Sequence, residues 1–244
     1  MPVSMRTSFN SSGLIRFLAD LNIAESGESR QTFAERLSQW MGWTDAISLS
    51  TVLGAAPGGN ASGNASGNSQ KTAANTGNTV GASGACAAAN ATTETFHRVR
   101  ADLQRSITGD AAFSAKTAFE REATPWRQAY QARQRAMETR IGALRAEVRA
   151  ALAGQSQELA RLAALDAVME RALAPRERQL LSTVPGLLER HAQRLHKEAG
   201  SAANPAAALD RPQLQAVLLA ELDIRLQPVE GMIVALDKQA TGLK

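Results

Sequence analysis

Acid-base, nucleophilic or metal chemistry in this chain would have to rest on three histidines, one cysteine and a scatter of carboxylates. His191 and His196 stand five apart in an apolar-periodic stretch, which turns them onto different helical faces, and no carboxylate pair joins them at ligand spacing. His97 stands alone. All three read as structural histidines. Cys86 is the single thiol, so the chain predicts neither an intrachain disulfide nor a cysteine-based metal site. Glu158, Asp166 and Glu170 fall in one helical region, but a di-metal carboxylate bundle also needs a matching pair of Glu-x-x-His motifs, and the chain does not hold two. They read as solvated or ion-paired surface. No GxSxG, Walker A, HExxH, GxGxxG or EF-hand pattern occurs. The expectation is a non-enzymatic protein with no catalytic residue, cofactor or metal.

Binding chemistry has better candidates. Phe33, Leu37, Trp40, Trp43 and Ile47 recur on one stripe of a short helix, and large aromatics dominate interface energetics. Core packing against helices further along is the plainer use of that stripe; an intermolecular anchor for a protein partner is the functional one. A second candidate is basic. Formal net charge is +4, the excess lies after residue 91, and seven arginines fall between Arg121 and Arg149. Glu120, Glu122, Glu138 and Glu147 are interspersed among them, as on a solvated amphipathic face. A nucleic-acid surface is usually more one-sided, so phosphate binding through Arg133, Arg140 and Arg145 is the alternative rather than the first reading.

The elements that position these residues read as helices throughout. Aromatics make up only 4% of the chain and Ala is abundant, a mixture suited to helices packing through Ala, Leu and Val. Residues 1–53 form a short helical segment, with Ser11 or Ser12 capping a first helix, Ser26 or Ser29 a second, and Gly42 as a break. From 54 to 91 the chain is almost all Gly, Ala, Asn, Ser and Thr. Ordering it costs more backbone entropy than its side chains return, so it reads as a disordered tether.

Residues 92–244 read as a C-terminal antiparallel helical bundle. Thr92 or Thr93 caps its first helix, and Thr124-Pro125 opens a long one. That helix carries Trp126, Tyr130, Met137, Ile141, Leu144, Val148 and Leu152 on one stripe, a bundle face or a coiled-coil seam. Gly154-Gln-Ser156 breaks it. Pro175 ends or kinks the next helix, Pro185 lies near the middle of another, and Pro228 separates the penultimate helix from a last turn region. No apolar run follows Arg6 and none reaches the length of a membrane span, so the default is a cytoplasmic protein without membrane insertion.

Three sets of stretches carry a family resemblance: Leu14 to Leu21 with Ser29 to Ile47, Leu162 to Met169 with Arg176 to Leu188, and Leu222 to Pro228. On these the chain resembles a family of uncharacterised proteobacterial proteins classed only as a domain of unknown function. The resemblance carries over no catalytic residue. It implies an accessory role, because members tend to be encoded beside MotA/TolQ/ExbB-type proton channels and OmpA-like proteins. The combined expectation is an all-α adaptor that binds a protein partner around such an envelope complex.

Overall fold

The computed structural model describes residues 13–20, 33–54, 80–110, 113, 124–198 and 211–241, and no strand occurs among them. The fold is all-α, as the composition and spacing predict. Its helices are α1 (Gly13–Asp20), α2 (Phe33–Trp40), α3 (Trp43–Gly54), α4 (Val80–Thr108), α5 (Thr124–Ala153), α6 (Gln157–Leu181), α7 (Val184–Glu198) and α8 (Arg211–Thr241).

Two predicted breaks are present. Gly42 separates α2 from α3 and acts as the N-cap of α3, its carbonyl accepting the Ala46 N–H at 3.0 Å. Between α5 and α6, Ser156 caps the second helix by accepting the Leu159 N–H on its hydroxyl at 3.2 Å. Gly154 in that turn has no left-handed backbone, so it is not the left-handed C-terminal cap that its position suggests.

Pro185 and Pro228 depart from expectation, and of the two alternatives for Pro175 the helix end is not taken. Pro175 and Pro228 lie inside α6 and α8, which run through them. A helix-interior proline removes one hydrogen bond, and burial on both sides of each compensates: Ala172 and Leu181 in α6, Leu226 and Val229 in α8. Pro185 is the second residue of α7, not a mid-helix residue, and its missing N–H belongs to the first turn, where it has no intrahelical partner. The real boundary is Ser182-Thr183, with the Thr183 carbonyl accepting the Leu187 N–H at 3.0 Å.

The C-terminal bound of the expected tether over 54–91 moves. Residues 55–79 lie outside the described residues, but Val80 to Ala91 is helix and Ala89 is buried. Neither Thr92 nor Thr93 caps anything. Alanine-rich sequence is good helix-forming sequence, and the run from Ala87 to Ala91 joins smoothly to the apolar periodicity that follows. The expected caps among Ser11, Ser12, Ser26 and Ser29 lie outside the described residues.

Grouping by compactness gives two units, each assembled from three segments of the chain. One comprises Met1–Trp40, Arg98–Ala143 and Leu173–Gln227; the other comprises Met41–His97, Leu144–Ala172 and Pro228–Lys244. In the first, Leu14 and Leu18 of α1 are buried together with Leu103, Tyr130, Met137, Leu188, Leu214 and Leu218. Trp126 meets Tyr130 edge to face, centroids 6.5 Å apart. The second unit buries Phe96, Val148, Leu152, Leu159, Val168, Ile233 and Leu236. Thr93 is part of it, its hydroxyl donating to Asp237 at 2.9 Å.

Candidate functional site

Helix α3 is amphipathic in the reverse of the usual sense. Asp45, Ser48, Leu49 and Val52, at helical spacings of three and four, form its half-buried side. The opposite arc holds Trp43, Ala46, Ile47, Ser50, Leu53 and Gly54, all exposed. Trp43 is 81% exposed, Leu53 60% and Ile47 51%, while no residue of α3 is buried.

What seats α3 is polar. Arg171 on α6 reaches Asp45 in its first turn, Nε to Oδ1 at 3.4 Å. Arg161, ten residues earlier on α6, donates to the Leu53 carbonyl in the last turn at 3.2 Å. The two arginines hold opposite ends of α3 and fix it antiparallel to α6. The Leu53 bond also satisfies a carbonyl that a helix C-terminus leaves unpaired. An apolar face is thus held outward by guanidinium clamps on the far side, which is what distinguishes it from a poorly packed core helix.

The candidate aromatic residues fall on both sides of the Gly42 break. Leu37 and Trp40 belong to the first unit and are half-buried. The Arg176 guanidinium lies 5.9 Å from the Trp40 ring centroid, a cation–π contact within that unit. Trp43 belongs to the second unit, beyond the Gly42 break. The Phe33 side chain lies outside the described residues.

The basic candidates are each engaged by carboxylates from other elements rather than by the interspersed glutamates of their own helix. Arg133 donates to Asp110, Nε to Oδ2 at 2.8 Å, and Arg140 donates to Asp102 at 3.0 Å. Arg145 forms a two-pronged pair with Asp166, at 2.8 and 2.6 Å, and Arg149 bridges Asp166 and Glu170. The side chains of Arg145 and Asp166 are only 12% and 10% exposed, so this part of the predicted solvated face is closed. Burial opposes the charge of Arg149, but hydrogen bonds from its guanidinium to Glu170 and Asp166 outweigh it and leave the group harder to deprotonate than usual.

One polar cluster escaped the sequence reading. Glu221 of α8 is fully buried in the first unit, accepting from the Tyr130 hydroxyl at 2.8 Å and from the Gln134 amide at 3.0 Å on each oxygen. The same Gln134 nitrogen donates to the Leu181 carbonyl at 2.8 Å, at the end of α6. Arg225, one turn on from Glu221, pairs with Glu177 at 3.3 Å. Burial pushes the Glu221 carboxyl above its ordinary range, against the hydrogen bonds from Gln134 and Tyr130 and the nearby Arg225. Burial and Glu221 together push the Tyr130 hydroxyl up, which keeps it a donor. The signal lay in the pattern: Glu221 and Arg225 sit within the stripe Leu218, Leu222, Leu226 and Val229.

Among the described residues no group of histidine, cysteine and carboxylate side chains is arranged to hold a metal ion. His191 is buried in α7 with Nδ1 3.0 Å from the Arg194 guanidinium, so that nitrogen accepts; His97 is exposed and packs edge-on against Phe96. The His196 side chain lies outside the described residues. No described helix is long and apolar enough to cross a membrane. No curated protein and no solved structure gives a significant match to the chain. A family match does extend over residues 1–238, almost the whole of the sequence, and by it the chain belongs to the family described as Protein of unknown function (DUF3348).

Proposed function

We propose that this chain is a non-enzymatic helical adaptor or accessory protein, and that the outward face of α3 is where a protein helix docks. The observation that carries this reading is Trp43, 81% exposed on a helix whose position is fixed by Arg161 and Arg171. Holding an indole in water forgoes about 2 kcal/mol of burial that a partner's surface would restore. Aromatic anchors of this kind dominate binding energy where they occur in interfaces.

The setting we propose is the cytoplasmic side of an envelope proton-channel complex, the accessory role that the family resemblance implies. We place the nucleic-acid alternative second, because Arg133, Arg140 and Arg145 each engage a carboxylate.

A photo-crosslinking residue placed at Ile47 in the full chain tests the reading inside cells, with the same residue at exposed Arg190 on α7 as control. The expected result is a discrete protein adduct from position 47 alone, abolished by Trp43→Asp with the melting temperature unchanged. Adducts indifferent to Trp43, or none, would refute it.

A further inference from the structure

The geometry points to a specific occupant: α3 of a second copy of this chain, lying antiparallel on the first about a two-fold axis that crosses the helix between Ser48 and Leu49. This rests on the reading of the α3 face as a docking surface and names what covers it.

The argument begins with spacing. Trp43, Ile47, Ser50 and Gly54 succeed one another at intervals of four, three and four, so they form one row along the exposed arc. That series reads the same in both directions. Turning a second α3 end for end therefore sets Trp43 against Gly54 of the second copy and Ile47 against Ser50, twice over. The row is bulky in its N-terminal half and small in its C-terminal half, so each large side chain meets a gap. A Cβ added at Gly54 would meet nothing within 4 Å, which leaves the indole an open floor. Parallel pairing would stack indole on indole and leave Gly54 facing Gly54.

Charge agrees with size. The outward arc of α3 carries no charged side chain, and the helix's one ionisable group, Asp45, is turned to α6 and held by Arg171. A two-fold interface brings every charge against its own image, so a neutral face is the kind that can pair with itself. A strongly charged partner finds nothing on this arc to read. The area sets the strength. Given the exposures of Trp43, Ile47 and Leu53, the face offers on the order of 400 Å² per copy, about half of one partner's share in a standard interface. The pairing is therefore reversible and depends on concentration.

Sedimentation of the purified full chain across about a hundredfold range of concentration tests this. The expected weight-average mass rises with concentration from the single-chain 25.9 kDa towards twice that value. Gly54→Phe, Ile47→Lys and Ser50→Glu should each hold the chain monomeric, with melting temperature unchanged because all three positions are exposed. Combining Ile47→Lys with Ser50→Glu should restore the dimer, because in the antiparallel register each introduced ammonium faces an introduced carboxylate of the other copy. A chain monomeric throughout, a dimer that survives the single substitutions, or a double variant that fails to recover would each overturn the proposal. If the monomeric chain still gives a Trp43-dependent adduct with another protein, pairing is refuted and docking stands; if both are absent, both readings fall.

Discussion

Tyr130→Phe removes one oxygen atom from the core of the first unit and should expose how Glu221 is charged. The hydroxyl donates to Glu221 Oε1 at 2.8 Å in a site where the carboxylate is fully buried. Gln134 remains, shared between both oxygens at 3.0 Å, with Arg225 nearby and Glu177 opposing it. A hydrogen bond to a buried charged group contributes about 2 kcal/mol and one to a neutral group about 1 kcal/mol. The loss must therefore depend on pH. The Glu221 carboxyl in the folded chain titrates above its unfolded value of about 4.5, so between the two the folded state holds a proton that the unfolded state lacks. Stability falls as pH rises through that interval and recovers as pH is lowered to its bottom. Because the Tyr130 bond favours the ionised form, Tyr130→Phe raises the folded value further and deepens the fall. Urea unfolding followed by circular dichroism across a pH series should show a cost of about 1 kcal/mol near pH 4.5 that grows towards about 2 kcal/mol, roughly 5 °C in melting temperature for a chain of this size, as rising pH ionises the buried carboxyl. Glu221→Gln should flatten the pH dependence. A cost that stays the same across the whole pH series would refute the reasoning, since it would mean that the Tyr130 bond does not distinguish the charged from the neutral carboxyl.

The arginines on α5 should separate by burial. Arg145→Gln leaves Asp166 with Arg149 alone in a nearly closed site and should cost about 2 kcal/mol, whereas Arg140→Gln, at a side chain 42% exposed, should stay within about 0.5 kcal/mol; equal thermal shifts would contradict this. The turn between α5 and α6 should respond oppositely at its two ends. Gly154→Ala should stabilise by about 0.5 kcal/mol, because the backbone is not left-handed and the new methyl meets the Ala151 carbonyl at an ordinary 3.6 Å, while Ser156→Ala should cost about 1 kcal/mol of capping; urea midpoints check both signs.

Local chemistry was legible in the sequence wherever a boundary depended on adjacent residues. Gly42 and Gly154-Gln-Ser156 interrupt helices where their spacing predicts, and the stripe from Trp126 to Leu152 is buried apart from its polar interstices. Boundaries decided by packing were not legible. Pro228 reads as a stop, and Pro175 as a stop or a kink, because one lost hydrogen bond is visible in sequence, whereas the burial that offsets it is not. Val80 to Ala91 reads as low complexity because its neighbours to the left do, yet its alanines extend the helix that follows. The candidate surface was half legible. Trp43 stands out in the sequence as a large aromatic, but the arginines that seat its helix, Arg161 and Arg171, lie more than a hundred residues further along the chain. Arg145 read as solvated for the same reason, since Asp166 comes from the facing helix.

The link from Gln134 to both Glu221 and the Leu181 carbonyl constrains how this sequence can drift. Losing Glu221 alone strands the Tyr130 hydroxyl and one Gln134 proton in a buried site, and losing Gln134 alone leaves a buried carboxyl short of a donor and the Leu181 carbonyl without that amide. Each single step is deleterious, yet an apolar set of matching volume at all three positions would be close to neutral. Tyr130, Gln134 and Glu221 should therefore be inherited together or replaced together. Descendants holding two of the three should be rare, and should carry a compensating change at Arg225 or Glu177.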